Sequence, residues 1–236
     1  MKVALIGYGK MGRIIEETLM QRGHEVVAKF GSQGIVVDEL KKAEVAIEFS
    51  IPEAAYSNIV CCLENQVPVA IGTTGWLDRY AEIERLCQES QGAFLYASNF
   101  SLGVNIFFAI NKQLAKLIAP HNYDLSLEEI HHIHKLDAPS GTAISLAEQI
   151  IAKNPDYQEW SLLPDSENGK IPIEAKRIEE VPGTHIISYE NDIDKIEIKH
   201  EAKNRKGFAL GAVLAAEYLK GKSGVFSMSD VLNLKS

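Results

Sequence analysis

The chain has 236 residues, of which 46% are hydrophobic, and its formal net charge is −8 at pH 7. This length allows one large domain or two smaller domains with separate cores, and the hydrophobic content excludes a disordered chain. No apolar stretch approaches 18 residues, and the negative charge argues against nucleic acid and anionic membranes as partners.

The cysteines indicate a reducing compartment. Cys61, Cys62 and Cys87 are odd in number and show no CxxC spacing, so we expect free thiols rather than disulfides or metal ligands. The first apolar stretch is interrupted at Gly7, which is not typical of a signal peptide. We therefore expect a cytoplasmic protein.

The first hundred residues alternate between strand-like and helix-like patterns. The predicted strands lie at 2–6, 24–30, 45–50, 67–75 and 93–100, and the predicted helices follow residue 12 and span 52–65 and 77–90. Such alternation predicts an α/β fold with a parallel, doubly wound sheet that is covered by helices on both faces.

The pattern changes after residue 101. A long apolar helix is predicted at 102–119 and another helix at 142–153, with strands at 123–131, 171–177, 184–190 and 194–201. Residues 154–170 are polar and predict a surface loop. A further helix is predicted to end near Gly221, and a short apolar segment follows it. We therefore predict an α/β domain at 1–101 plus 207–236 and an inserted α+β domain at 102–206.

A glycine-rich loop joins the first strand to the first helix. Its sequence is Gly7-Tyr8-Gly9-Lys10-Met11-Gly12, which has the GxGxxG form. In this context Gly7 makes the tight turn, Gly9 allows the backbone to approach a pyrophosphate, and Gly12 allows close helix–strand packing. The loop therefore predicts dinucleotide binding by a Rossmann-like domain, and the alternative is a glycine turn that serves packing only.

The second strand carries no acid at its end, where many such sites bind the adenosine ribose. The region reads Ala28-Lys29-Phe30-Gly31-Ser32-Gln33, and the next carboxylate in sequence is Asp38. Nothing there would repel a 2′-phosphate, and Lys29 could contact one. We expect NADPH or NADH as cofactor with a mild preference for NADPH, although Lys29 could equally be an ordinary exposed lysine.

Residues 128–143 read EEIHHIHKLDAPSGTA and combine titratable groups with a helix start. Adjacent His131 and His132 face opposite ways on a strand, so no metal is expected. His131 and Lys135 share one face of an extended chain and could form a proton-transfer pair, while a solvated charged strand is the alternative. Ser140-Gly141-Thr142 precedes an apolar helix, and its N–H and hydroxyl groups could bind a carboxylate.

Six segments, in order along nearly the whole chain, resemble the 4-hydroxy-tetrahydrodipicolinate reductase (dihydrodipicolinate reductase) family. They are GYGKMGR, IGTTG, ASNFSLGVN, HHIHKLDAPSGTA, EIKHEAKNRKGFALGAV and SGVFSMSDVLNL. The resemblance implies an NAD(P)H-dependent oxidoreductase of lysine and diaminopimelate biosynthesis. It also implies a small dicarboxylate substrate and a homotetramer built through the inserted domain.

The resemblance also implies roles for particular residues. His131 would be the proton donor and acceptor, Lys135 a second proton donor, and His132, Ser140, Gly141 and Thr142 the substrate-binding residues. The cofactor-binding residues would be Gly7, Tyr8, Gly9, Lys10, Met11, Gly12, Gly72, Thr73, Thr74, Ala97, Ser98, Asn99, Phe100 and Arg205. From the sequence alone, Gly72–Thr74 and Ala97–Phe100 follow two parallel strands and could equally be turns.

This chain departs from the family pattern in three places. The glycine loop is one residue shorter than in many members, the cofactor-selecting acid is absent, and the segment before residue 171 is abbreviated. The alternative functions are another two-domain oxidoreductase or a dinucleotide-sensing regulatory domain. A semialdehyde dehydrogenase would need a nucleophilic cysteine in a suitable motif, which this chain lacks. A sugar dehydrogenase would carry a Glu-Lys-Pro turn at the place where Gly72-Thr73-Thr74 stands. A nucleotide sensor would not need the His/Lys cluster.

Overall fold

A computed structural model of the chain describes residues 1–234. The chain divides into two compact units. The first comprises Met1–Asn105 together with the chain from Lys206 onward, and the second comprises Ile106–Arg205. The boundaries predicted from sequence lie at 101/102 and 206/207.

The secondary-structure elements, in chain order, are as follows. The strands are β1 (Lys2–Ile6), β2 (Glu25–Phe30), β3 (Val45–Glu48), β4 (Val69–Ile71), β5 (Ala93–Tyr96), β6 (Asp124–His131), β7 (Glu159–Leu162), β8 (Lys170–Arg177), β9 (Thr184–Glu190), β10 (Lys195–Glu201) and β11 (Gly224–Phe226). The helices are α1 (Lys10–Gln21), α2 (Val37–Leu40), α3 (Pro52–Glu64), α4 (Tyr80–Glu89), α5 (Leu102–Ile118), α6 (Gly141–Ile151), α7 (Lys206–Leu219) and α8 (Met228–Val231), with a 3₁₀ turn at Leu77–Arg79.

The first unit contains a six-stranded parallel sheet, which confirms the predicted α/β class. The strand order is β11-β5-β4-β3-β1-β2, and every neighbouring pair is parallel. Alternate residues of β1 enter two separate cores: Val3 and Leu5 lie in one, and Ala4 and Ile6 in the other. Helices therefore cover both faces of the sheet, and the strand order reverses between β1 and β3, where ligands of such sheets bind.

The C-terminal helix α7 belongs to this first unit. It packs against α1, and the Arg22 guanidinium donates two hydrogen bonds, of 2.8 and 2.9 Å, to the Glu217 carboxylate. The final strand β11 then extends the sheet beside β5. The short apolar segment predicted at the end of the chain therefore begins in this sheet, and it continues into α8.

The second unit contains a mixed five-stranded sheet with β6 at its centre. The order is β10-β9-β6-β8-β7; β9 is antiparallel to β6, and β8 is parallel to it. Along β6 every second side chain faces inward, first Leu125 and Leu127 and then Glu129 and His131. The apolar pattern of this strand therefore continues into two buried polar residues at its carboxyl end.

Part of the predicted surface loop at 154–170 is a strand, so that prediction was wrong for β7. Glu159–Leu162 pairs in parallel with β8, and Trp160 packs against the core of the second unit. The strand lies at the edge of the sheet and therefore pairs with one neighbour only. In the sequence, polar residues flank it before and after, and they mask its short apolar pattern.

The structure also bears on the thiols and on membrane insertion. Cys61, Cys62 and Cys87 are free, and burial raises the pKa of all three thiols. These thiols are therefore poor nucleophiles at neutral pH. Within residues 1–234, none of the helices combines the length and apolar character needed to cross a bilayer.

Candidate active site

The glycine loop of the first unit forms a tight turn between β1 and α1. Gly7 has φ of +92°, and a Cβ atom there would lie 2.0 Å from the Phe49 carbonyl oxygen. A Cβ atom at Gly12 would lie 2.3 Å from the Gly7 carbonyl oxygen, whereas one at Gly9 would meet no atom within 4 Å. Gly7 and Gly12 thus bring strand, loop and helix together, and open space remains above Gly9 at the start of α1.

A cleft of about 380 Å³ lies at the carboxyl ends of β1, β3 and β4. It is lined by Gly9, Lys10, Met11, Phe49, Ser50, Pro52, Gly72, Thr73 and Thr74. The Ser50 backbone N–H donates to the Thr73 hydroxyl at 2.8 Å, which joins the loops that follow β3 and β4. The glycine loop and the Gly72–Thr74 segment therefore meet in one cleft at the switch point of the sheet. This is the position at which sheets of this type bind dinucleotides.

The other predicted cofactor residues lie elsewhere. Ala97–Phe100 follows β5 and is not among the residues that line this cleft. The Phe100 ring is buried in the core, 5.5 Å from the ring of Phe49, and Arg205 is exposed between β10 and α7. The Phe100 side chain therefore serves packing.

Lys29, near the end of β2, is already paired. Its ammonium lies 2.5 Å from a Glu16 carboxylate oxygen and 4.7 Å from the centre of the Tyr8 ring. The Tyr8 hydroxyl also donates to Glu16. Hydrogen bonds from Lys29 and then Tyr8 lower the pKa of the Glu16 carboxyl. An acid therefore does lie beside the end of β2, and it comes from α1 rather than from the strand.

In the second unit, strand register gathers four polar residues at the end of β6. Arg177 of β8 pairs with His131, and His185 of β9 pairs with Glu129. Glu129 is fully buried and hydrogen-bonds the Nδ1 atom of His131, while Arg177 donates to its other oxygen at 2.9 Å. The rings of His131 and His185 meet edge to face at 5.2 Å. These contacts hold His131 in one orientation.

The charges of this cluster follow from burial and hydrogen bonding. Burial acts to raise the pKa of the Glu129 carboxyl, but hydrogen bonds from His131 and Arg177 outweigh it, so that the pKa is lowered. Burial, and next the neighbouring His131, lower the pKa of His185 to about 3. Glu129 is therefore an ionised acceptor and His185 a neutral ring at physiological pH.

The same geometry meets the distance criterion for a metal site. The candidate ligand atoms of Glu129, His131 and His185 all lie within 4.8 Å of one another. The Arg177 guanidinium, however, is hydrogen-bonded to the Glu129 carboxylate, and Glu129 itself bonds His131. A fixed cation at this distance opposes a divalent ion, so the cluster fits a hydrogen-bonded network better than a metal centre.

Lys135 does not lie on the strand of His131, so the predicted shared strand face was wrong. β6 ends at His131, and a turn follows, in which the Lys135 N–H donates to the His132 carbonyl at 3.1 Å. Both oxygens of Asp137 accept from the Lys135 ammonium at 2.8 Å. Arg177 also donates to the carbonyls of Lys135 (3.3 Å) and Asp137 (2.6 Å). Arg177 thus contacts both Glu129 and the Lys135 loop.

Helix α6 begins directly after this loop. Its N-cap Ser140 is buried, accepts from the Ala143 N–H at 3.2 Å and lies 3.0 Å from Nε2 of His185. Gly141 is exposed and Thr142 is half-buried. The first N–H groups of a helix have no partner within it, and they favour anions. Gly141 and Thr142 therefore offer N–H groups that an anion could reach, whereas the Ser140 hydroxyl is used inside the protein.

The other predicted substrate residue, His132, follows the strand. It is half-buried, its Nδ1 atom is buried without a hydrogen-bond partner among the described residues, and its ring lies 6.1 Å from that of His134. His131, His132, Lys135 and the α6 start therefore all belong to the second unit. The buried Nδ1 atom is closed to a ligand in this structure, so only the exposed part of the His132 ring could contact one.

The sequence analysis did not identify Glu129, Arg177 or His185. Glu129 could have been found, because it lies two residues before His131 and so on the same face of the strand. Arg177 and His185 lie 46 and 54 residues after His131, and only the register of β8 and β9 brings them to it.

Comparisons with known proteins agree with this geometry. Residues 1–100 match the family model "Dihydrodipicolinate reductase, N-terminus", and residues 103–232 match "Dihydrodipicolinate reductase, C-terminus". A 4-hydroxy-tetrahydrodipicolinate reductase of Christiangramia forsetii is 52% identical over 99% of this chain and 98% of its own length. A protein of the same name from Methanocaldococcus jannaschii is 33% identical over 99% of this chain and 97% of its own length.

A solved structure shares the fold. The dipicolinate-bound dihydrodipicolinate reductase of Paenisporosarcina sp. TG-14 superposes with a TM-score of 0.78 at 23% identity, over 96% of this chain and 97% of that chain. The likeness of the two folds agrees with the match of both family models and with full-length relatives above 30% identity. The chain belongs to the dihydrodipicolinate reductase family.

Proposed function

We propose that this protein reduces 4-hydroxy-tetrahydrodipicolinate to tetrahydrodipicolinate with NADH or NADPH, a reaction of lysine and diaminopimelate biosynthesis. The observation that carries the proposal is the full-length identity of 52% to a reductase of this name. Two observations support such a reaction: the first unit contains a cleft beside the glycine loop, and the second contains the hydrogen-bonded pair of His131 and Glu129 together with the capped start of α6.

The nucleotide would bind the first unit. The N–H groups of the glycine loop and of the start of α1 would hold the pyrophosphate, and Gly72–Thr74 would line the same cleft. The dihydronicotinamide would supply the hydride. Ala97–Asn99 and Arg205 stay predictions as cofactor residues, and Phe100 would contribute through its backbone, since its ring is buried.

The dicarboxylate would bind the second unit. One carboxylate would accept hydrogen bonds from the N–H groups of Gly141 and Thr142 and from the Thr142 hydroxyl, and His132 would contact the substrate with its half-buried ring. Ser140 would contribute to this site indirectly, because its hydroxyl caps the helix whose N-terminus carries these groups.

His131 and Lys135 would perform the proton transfer. Hydride addition to the substrate ring leaves a carbanion or enamine carbon that must take up a proton. The imidazolium of His131 would give the proton of Nε2 to that carbon, and the electron pair of the N–H bond would stay on the nitrogen. The Lys135 ammonium would leave Asp137 and serve as the second donor.

Three finer points complete the proposal. We expect a mild preference for NADPH, a cytoplasmic enzyme and a homotetramer formed through the second unit. Light scattering of the purified protein tests the assembly, and nucleotide titration tests the preference.

The assay that tests the function uses freshly generated substrate and the purified wild type. We expect oxidation of NADPH and of NADH that depends on the substrate, and competition by pyridine-2,6-dicarboxylate. Omission of the substrate and a heat-inactivated protein are the controls. The absence of substrate-dependent oxidation with both nucleotides would refute the proposed function.

A further inference from the structure

The buried carboxylate of Glu129 is fully committed to two donors. Its side chain has no exposed surface; one oxygen accepts from Nη1 of Arg177 at 2.9 Å, and the other contacts Nδ1 of His131. An arginine can only donate hydrogen bonds, and an ionised carboxylate can only accept them. The lowered pKa of Glu129 keeps it ionised, so Nδ1 of His131 must carry a hydrogen.

This arrangement determines which nitrogen of His131 is available. Nδ1 is directed at Glu129, whereas none of the hydrogen bonds among residues 1–234 engages Nε2. A Cβ atom added at Gly183 would lie 3.0 Å from Nε2, so the glycine leaves room beside this atom. His185 packs against the ring edge to face. Nε2 is therefore the nitrogen that can exchange a proton with a ligand.

We propose that Glu129, held by Arg177, is the positioning residue of the proton-transfer site and fixes His131 as the tautomer that carries its hydrogen on Nδ1. This proposal deepens the proposed function, since it rests on His131 as the proton donor. When the imidazolium gives its Nε2 proton to the substrate carbon, the Nδ1–H tautomer remains. Glu129 already holds this product form, so no rearrangement of the ring is needed.

The substitution Glu129→Gln tests the proposal because Arg177 determines how the amide lies. The amide oxygen must face the donating guanidinium, so the NH₂ group faces Nδ1 of His131. A nitrogen that faces a donor must accept, and the hydrogen of the ring then moves to Nε2. The variant keeps the shape of the side chain and reverses the tautomer.

The chain offers a matched control on the same strand. Glu128 is the preceding residue of β6, faces the other side of the sheet and accepts from the Lys176 ammonium at 2.8 Å. Glu128→Gln therefore makes the same chemical change, but it leaves His131 untouched. We expect wild-type kinetics for this variant.

Two readouts are needed. In ¹⁵N-histidine-labelled, ligand-free protein, at a pH high enough that the ring is neutral, the His131 signals, assigned by their loss in His131→Gln, should show a protonated Nδ1 and an unprotonated Nε2 in the wild type. In Glu129→Gln the two should exchange. The variant should also lose at least about 10²-fold in kcat, while KM changes by less than about threefold, as expected when a transition-state contact alone is lost.

Failure of this proposal can be distinguished from failure of the proposed function. The tautomer is measured without substrate, so an inactive wild type refutes the function and leaves this measurement intact. A neutral wild-type His131 with its hydrogen on Nε2 overturns the proposal, even if Glu129→Gln does not fold. A folded Glu129→Gln that keeps the Nδ1–H tautomer, or that exchanges tautomers with full activity, overturns it as well.

Discussion

The ammonium of Lys29 and the carboxylate of Glu16 form an ion pair at 2.5 Å, beside the end of β2. The two residues are 13 positions apart in sequence, one on the strand and one on α1. Glu16 thus occupies the neighbourhood in which an acid would select NADH, and it offsets the lysine that would favour the 2′-phosphate of NADPH. The preference for NADPH expected from the sequence should therefore be small.

We predict that Glu16→Gln increases the affinity for NADPH relative to NADH. The substitution removes a negative charge and frees Lys29, and at such a partly exposed pair the gain should be at most about fivefold in Kd. Lys29→Ala should change the ratio in the opposite direction. Fluorescence titration with both nucleotides measures the ratio, and Glu17→Gln, an exposed acid next to it on α1, is the control.

This gain should also decrease as salt increases, because the Lys29 ammonium is exposed to solvent ions. An unchanged Kd ratio in both Glu16→Gln and Lys29→Ala would show that the pair does not contact the nucleotide. A wild type that binds NADH more than about tenfold tighter than NADPH would contradict the expected weak preference.

Thr142→Val should weaken substrate binding. The substitution removes a hydroxyl from the proposed carboxylate site but keeps the shape of the side chain, which costs on the order of 1.5–3 kcal/mol. KM should therefore rise, and the Kd of pyridine-2,6-dicarboxylate should rise with it. Ser145→Ala, one turn further along α6, is the control. Unchanged values of both constants would mean that the helix start does not hold a carboxylate.

Lys135→Ala should lower kcat by about 10²–10⁴-fold, since a proton donor is lost. Asp137→Asn separates this role from the ion pair of the loop, because it weakens the contact with the ammonium and leaves the ammonium in place. We expect kcat of Asp137→Asn to stay close to that of the wild type. Equal losses in the two variants would indicate that Lys135 only stabilises the loop.

His185 should make the second unit sensitive to acid. Burial, and next the nearby His131, lower its pKa to about 3, whereas an unfolded histidine titrates near 6.5. Its contribution to stability is therefore complete above pH 6.5 and is lost as the pH falls towards 3. Between pH 7 and 5 the loss should be roughly 2 kcal/mol.

Urea unfolding of His185→Gln at pH 7 and pH 5 measures this loss. Trp76 lies in the first unit and Trp160 in the second, so a Trp76→Phe background restricts the tryptophan signal to the second unit. The variant should lose roughly 2 kcal/mol less than its parent between the two pH values, and the exposed His121→Gln should behave like the parent. Equal losses in all three proteins would contradict the prediction.

Local pattern was sufficient to predict the fold class and the glycine loop. The alternation of strands and helices specified the parallel sheet, and the spacing of Gly7, Gly9 and Gly12 has a direct steric basis. Strand β7 could not be predicted in this way, because a four-residue edge strand of mixed polarity has too little periodicity to be told from a loop.

Pairings between distant segments could not be predicted. Arg177 and His185 reach His131 only through the register of three strands, and Glu16 meets Lys29 only because α1 packs beside β2. The assumption that Lys135 continues the strand of His131 was wrong because β6 ends at His131 and a turn begins. Such facts depend on tertiary packing, which overrides local pattern.

The most direct test is the steady-state rate of His131→Gln, measured with NADPH and freshly generated 4-hydroxy-tetrahydrodipicolinate beside the wild type. We predict a kcat lower by about 10²–10⁴-fold, because the proton donor is lost. The Kd for NADPH should be unchanged, since the nucleotide cleft lies in the other unit. A His131→Gln variant with wild-type kcat would contradict the assignment of His131 as the proton donor.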